Sequence, residues 1–163
     1  MDFFDVIKNR KSVREYAGKV VENTIIEKIV DAGRLAATAR NEQPWEFIAT
    51  SDKHKLKKIS SLCPNGVFVK DASWLIAVFS KDTKYYIEDC SAATQNMLLA
   101  IQALGLGGCW VAGDKKDYAD DVRKLKTVQP PKEEEVKRRL EQLKRMGALR
   151  TAGALGEREK VRR

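Results

Sequence analysis

The sequence predicts a single mixed domain of helices packed on strands, and three observations carry that reading. Ile25, Ile26, Ile29, Val30 and the small residues from Gly33 to Ala37 build one apolar face at helical spacing, so this helix should be largely buried. Trp45-Glu46-Phe47-Ile48-Ala49 alternates as a half-buried strand does, and Trp74 to Phe79 is a continuous apolar run fitting an interior strand. Residues 87–104 form the strongest helical signal. Ala92, Ala93, Met97, Leu98, Leu99, Ile101 and Leu104 leave that helix apolar nearly all round, which places it at the centre of the molecule or in a dimer interface.

The remaining elements follow in order. Phe3, Phe4 and Ile7 recur at helical spacing, so a short helix opens the chain and ends near Asn9-Arg10. Asn23 is the candidate cap of the second helix, and Pro44 stops any helix ahead of the first strand. Lys53 to Leu62 reads as an amphipathic surface helix. Gly105 ends the 87–104 helix, and Gly107-Gly108-Cys109-Trp110-Val111-Ala112-Gly113 reads as a short strand whose glycines let another group approach the backbone. A helix near Tyr118 to Leu125 comes next. Pro130-Pro131 then breaks the chain, and Glu133 to Leu149 begins a highly charged helix. The chain therefore divides into a domain at residues 1–126 and an atypical charged helical segment at 127–163.

Composition narrows the class. A chain of 163 residues with 43% hydrophobic content supports one core and hardly two. The opening residues mix acids and bases without a signal-peptide run, and the longest apolar stretches fall well short of the roughly 20 residues that span a bilayer. A soluble protein with no membrane partner is expected. Cys63, Cys90 and Cys109 are an odd number without metal-ligand spacing, and His54 is the sole histidine. Neither a disulfide framework nor a metal site is expected, and a reducing cytoplasm fits. The formal charge is +8, but residues 127–163 hold 11 Lys and Arg against 6 Asp and Glu, so most of the excess lies there. A nucleic-acid partner is disfavoured because Glu133, Glu134, Glu135 and Glu141 intersperse with Lys137, Arg138, Arg139, Lys144 and Arg145 at helical spacing, as on a solvated helix.

Three clusters carry chemistry. Arg10-Lys11-Ser12-Val13-Arg14 gathers two guanidinium groups, an ammonium and a hydroxyl at a helix end, a set suited to phosphate; a solvated basic loop is the plainer reading of that cluster alone. Residues Ala36 to Trp45 pass from a small-residue helix end through polar amides into a strand, as an ordinary connection also would. Gly105 to Gly113 is the third, equally compatible with a glycine cap and an edge strand. Cys109 reads as a small core residue and His54 as exposed.

Taken together and in this order, RKSVR, NEQPWEF and ATQNMLLAIQALGLGGCWVAG closely resemble the FMN-dependent nitroreductase family over residues 1–126, in particular its short members. The resemblance implies an α+β fold of three α-β-α layers, with a central mixed, mostly antiparallel sheet flanked by helices. It also implies a homodimer with FMN in clefts made by both subunits. Arg10 and Ser12 match residues that hold the FMN phosphate and ribityl chain, with Lys11 between them. Arg14 matches the basic residue beside the flavin pyrimidine edge, where positive charge favours hydride acceptance. From the other subunit, Ala37 and Thr38 match positions contacting the ring, and Asn41 matches the polar residue opening the QPW motif. Trp110, Val111, Ala112 and Gly113 match a segment along one flavin face, with the Ala112 amide near N5. No side chain is assigned as catalytic, because the flavin does the chemistry: NADH or NADPH delivers hydride, leaves, and a small acceptor such as a nitroaromatic or quinone enters the same slot.

The sequence departs from the family after Val122-Arg123-Lys124-Leu125. Members normally continue into another strand with a Gly-Tyr-Pro-like turn and a basic residue reaching the FMN phosphate, whereas Gln129-Pro130-Pro131 here leads into KEEEVKRRLEQLKRMGALR. Weaker FMN affinity than in a complete member is expected, with Arg138, Arg139 or Arg145 as substitute ligands. The alternative function is a degenerate member that keeps the fold for a structural or flavin-binding role without turnover.

Overall fold

The computed structural model describes residues 2–113 and 117–124. Five α-helices and two strands lie in the order α1 (Phe3–Asn9), α2 (Asn23–Arg34), β1 (Trp45–Thr50), α3 (Lys53–Leu62), β2 (Leu75–Ser80), α4 (Tyr86–Ala103) and α5 (Ala119–Lys124). Two 3₁₀ helices at Ala39–Asn41 and Pro64–Asp71 join them. The charged segment expected at 127–163, with Arg138, Arg139 and Arg145, lies outside the described residues.

β1 and β2 pair antiparallel from Trp45 opposite Ser80 to Thr50 opposite Leu75. Their alternate side chains face two ways. Phe47, Ala49, Ile76 and Val78 pack on the buried group Ile26, Ile29 and Met97 from α2 and α4. Leu75 packs on Leu56, Ile59, Cys63 and Val69 beneath α3 and the following 3₁₀ helix. Helices thus cover both faces, as expected. Among the described residues, however, the sheet has only these two strands, and every residue of β2 is half-buried rather than interior. The apolar run 74–79 marks a strand correctly but not how deeply this chain covers it.

Other boundaries move for local reasons. The second helix begins at Asn23 itself with Glu22 as its cap, and no side chain bonds that end, so Asn23 does not cap it. The same helix ends at Arg34; Leu35 caps it, and Ala36 and Ala37 leave the helical path. Gly33 is buried because α4 crosses there: a Cβ at this position would stand 2.8 Å from Met97 Cγ. In α4 only Asp89, Ala93 and Met97 are buried, so much of its apolar circumference is not covered within this chain. The stretch Gly107–Gly113 is not a strand; it makes one isolated parallel bridge, Ser12 with Gly108.

Asp52 caps α3, accepting backbone N–H groups from His54 at 2.8 Å and Lys55 at 3.3 Å. Those bonds, the one from Lys55 foremost, hold its carboxyl below the ordinary 3.8. A carboxylate with a depressed folded-state pKa stabilises fully above its unfolded value and loses that contribution as pH falls through the folded one. Asp52→Ala is therefore expected to melt below the wild type at neutral pH, with the gap closing in acid below the carboxylate range. Thermal melts across that range check it; a gap independent of pH would refute the charge argument.

Candidate functional site

The basic cluster follows directly from the end of α1. Arg10 caps that helix, donating its backbone N–H to the Val6 carbonyl at 3.0 Å, and its extended backbone turns the chain outward. Val13 then donates its N–H to the Gly108 carbonyl at 2.9 Å. This pairing needs glycine: a Cβ on Gly107 would lie 2.9 Å from both Cβ and Cγ1 of Val13. Arg10 and Lys11 consequently border a shallow crevice with Leu98, Ile101 and Gln102 of α4, Leu106 and Gly108. Among the described residues neither cation has an ion-pair partner. Lys11, Ser12 and Arg14 are exposed and Arg10 is half-buried. Arg14 lies with its guanidinium 5.8 Å from the centre of the Phe68 ring.

Beyond the bridge the chain runs through Cys109 to Trp110, whose large side chain is 45% exposed. Val111 points the other way and packs on the Leu56 cluster. Ala112 is exposed and Gly113 half-buried. Two tyrosines that the motifs do not single out brace this corner. Tyr16 donates its hydroxyl to the Val13 carbonyl at 3.1 Å, and Tyr118 donates to the Ala112 carbonyl at 2.9 Å. Burial is the main cause that raises both phenol pKa values, so both remain neutral donors at physiological pH. The buried Cys63 thiol and the Cys90 thiol are also pushed up, by burial foremost, which keeps them protonated and poor nucleophiles. Cys109 is half-buried, with its Sγ 3.7 Å from the Trp110 carbonyl.

The second predicted group sits elsewhere. Ala37 and Asn41 are exposed and Thr38 is half-buried, in a turn whose Ala39 N–H reaches the Asp89 carboxylate near the start of α4. Arg10 and Lys11 instead meet Leu98 and Ile101 toward the other end of that helix. Asp89 and Ile101 stand about 18 Å apart along α4 at roughly 1.5 Å per residue. One chain therefore brings the basic strip to the glycine and Trp110 segment, but does not bring the turn at 37–41 to them.

The donor set of the first group fits a phosphate-bearing, partly apolar ligand: fixed positive charge and a hydroxyl at one end, an exposed indole further along. Among the described residues no group of His, Cys, Asp and Glu is arranged to hold a metal ion, and no helix is long and apolar enough to cross a membrane.

Comparison with known proteins agrees with this geometry. The family model described as "Putative TM nitroreductase" matches residues 2–130. A Methanothermobacter thermautotrophicus protein named "Putative NADH dehydrogenase/NAD(P)H nitroreductase" is 37% identical over 134 residues, covering 78% of this chain and 70% of the relative. A Bacteroides thetaiotaomicron structure carrying the same name superposes with a TM-score of 0.71 at 30% identity, over 80% of this chain and 91% of that one. A Desulfovibrio desulfuricans nitroreductase solved in complex with FMN gives 0.61 at 29% identity, over 66% of each chain. With its α+β layers, its basic strip bridged to the glycine segment and a family match over most of its length, this chain belongs to the nitroreductase family.

Proposed function

We propose that this chain binds FMN and works as an NAD(P)H-dependent oxidoreductase on a small oxidised acceptor, a nitroaromatic or quinone among the candidates. The observation that carries the reading is the Ser12–Gly108 bridge, which sets Arg10, Lys11 and Ser12 beside the backbone leading to Trp110. Arg10, Lys11 and Ser12 would hold the phosphate and ribityl chain. Arg14, by its charge, would serve the ring's pyrimidine edge, and Trp110, the Val111 backbone, Ala112 and Gly113 would line one face, the Val111 side chain anchoring the segment on the Leu56 group. FMN, when bound, supplies hydride transfer between nicotinamide and acceptor. The chain's own part is to bind, orient and present an open slot that serves donor and acceptor in turn.

A homodimer completes this reading. Ala37, Thr38 and Asn41 lie at the far end of α4 from the basic strip, so a second copy is the source from which they would reach the same flavin. Phe3, Phe4 and Ile7 on α1, exposed by 61%, 75% and 46%, and Ile87 on α4, exposed by 46%, supply apolar surface for that association.

Purified protein supplied with FMN is expected to take up the flavin's visible absorption. Anaerobic NADH or NADPH should then bleach it, and a nitroaromatic or quinone should restore it. Uptake without bleaching by either nicotinamide would assign the degenerate, flavin-holding function instead, and failure to take up FMN would overturn the reading altogether.

A further inference from the structure

Asp89 is the one buried charged side chain among the described residues, only 3% exposed. Its neighbour Glu88 shares the first turn of α4 and is exposed, so favourable interaction with the helix dipole does not require Asp89 to be buried. Burying a carboxylate is costly unless hydrogen bonds replace water. Here Oδ1 accepts the Ala39 N–H at 2.9 Å, while Oδ2 is buried with no hydrogen-bond partner among the described residues. A single long-range bond therefore offsets only part of a substantial cost, and that bond is what the buried carboxylate supplies to the rest of the described chain.

The turn it holds needs holding. Arg40, Asn41 and Gln43 all take left-handed backbone conformations, with φ of 55°, 58° and 48°, and none is glycine. The bonds from Asn41 N–H to the Thr38 carbonyl, from Gln43 N–H to Thr38 Oγ1 and from the Gln43 amide to Asn41 Oδ1 are internal to the turn. Among the described residues two hydrogen bonds fasten it to the body: the Ala39 N–H to Asp89 at its start, and the Lys81 N–H to the Pro44 carbonyl at 3.0 Å at its end.

We propose that Asp89 is a positioning residue which, through the Ala39 amide, presets the turn carrying Ala37, Thr38 and Asn41 for the flavin. The tether is a property of the folded chain alone; its effect on the cofactor rests on the function proposed above. The one side-chain hydrogen bond of Asp89 among the described residues goes to the turn's backbone, so the residue acts through the Ala39 amide. It acts by keeping a strained turn in one conformation, so that ordering this segment is not charged against binding.

The test uses the full chain and three variants. Asp89→Ala removes the acceptor, Asp89→Asn keeps a carbonyl oxygen for Ala39, and Ala39→Pro removes the donor while leaving Asp89 in place. Without FMN, amide exchange at Ala39 and tryptic cleavage after the exposed Arg40 report the turn; titration with FMN then reports the site. In Asp89→Ala, both exchange and cleavage are expected to rise roughly tenfold or more, and FMN affinity to fall by roughly 10- to 100-fold, while Asp89→Asn stays within about threefold of wild type. A folded Asp89→Ala protein with wild-type exchange and affinity would overturn the proposal, as would a folded Asp89→Asn protein as damaged as the alanine variant. If Asp89→Ala does not fold, cleavage after Arg40 in Ala39→Pro decides: faster cleavage supports the tether, unchanged cleavage refutes it. A wild type that takes up no FMN, with the turn still loosened in Asp89→Ala, would overturn the flavin reading and leave the tether standing.

Discussion

Leu56→Ala is expected to lower the unfolding free energy by about 2–5 kcal/mol, the range for removing a fully buried leucine and leaving part of its volume empty. Leu56 is 0% exposed and touches a group, Ile59, Cys63 and Val69, that is itself nearly closed to solvent. It sits on α3 with the 3₁₀ helix at Pro64–Asp71 packed against it, so the site has little freedom to collapse. The same group supports Val111 and Tyr118, and Tyr118 holds the Ala112 carbonyl. The loss should therefore extend to the segment after Trp110, seen as faster amide exchange there under native conditions. Urea titration followed by circular dichroism measures the global effect. A midpoint shift equivalent to less than about 1 kcal/mol would show that α3 repacks freely.

Gly107→Ala should cost about 1–3 kcal/mol by overpacking and, on the proposed function, should also lower FMN affinity relative to the wild type. The added Cβ meets Val13 at its Cβ and Cγ1, both at 2.9 Å, and at Cγ2 at 3.1 Å. Valine cannot swing its Cβ aside, because the Val13 backbone is bonded to Gly108. The Ser12–Gly108 bridge must open, taking the basic strip with it. Gly33 gives the contrast. A Cβ there meets side-chain atoms beyond the neighbours' own Cβ, Met97 Cγ at 2.8 Å and Sδ at 3.1 Å and Phe47 Cζ at 3.3 Å, which can shift by rotation without moving backbone. Adding Val13→Gly to Gly107→Ala clears all three contacts and is expected to recover most of the FMN affinity; parallel flavin titrations of the single and double variants decide. An unaffected single variant would mean that the bridge does not shape the site.

The legible parts of the fold were those written locally. Lys53–Leu62 is legible because its apolar positions recur with helical period, and the two strands fall within a residue or so of their apolar runs. The left-handed turn at Arg40, Asn41 and Gln43 was not readable, since no glycine announces it and its support comes from Asp89 far along the chain. Likewise the glycines at 107 and 108 announce close approach, yet only the fold shows what comes close: Val13 at Gly107, and Ile101 of α4 at Gly108. Asp89 carries no local sign of its burial, since it stands beside Glu88 in the first turn of α4, where acids ordinarily favour the helix dipole.

The Ser12–Gly108 bridge joins the first residues of the domain to nearly the last described ones. During synthesis the amino-terminal strip must wait, unpaired, until α4 and the glycines beyond it have left the ribosome. Contacts so distant in sequence close late, after local helices and the β1–β2 pair have formed. This corner of the fold is then among the final features to assemble, so changes at Gly107 should accelerate unfolding more than they slow folding.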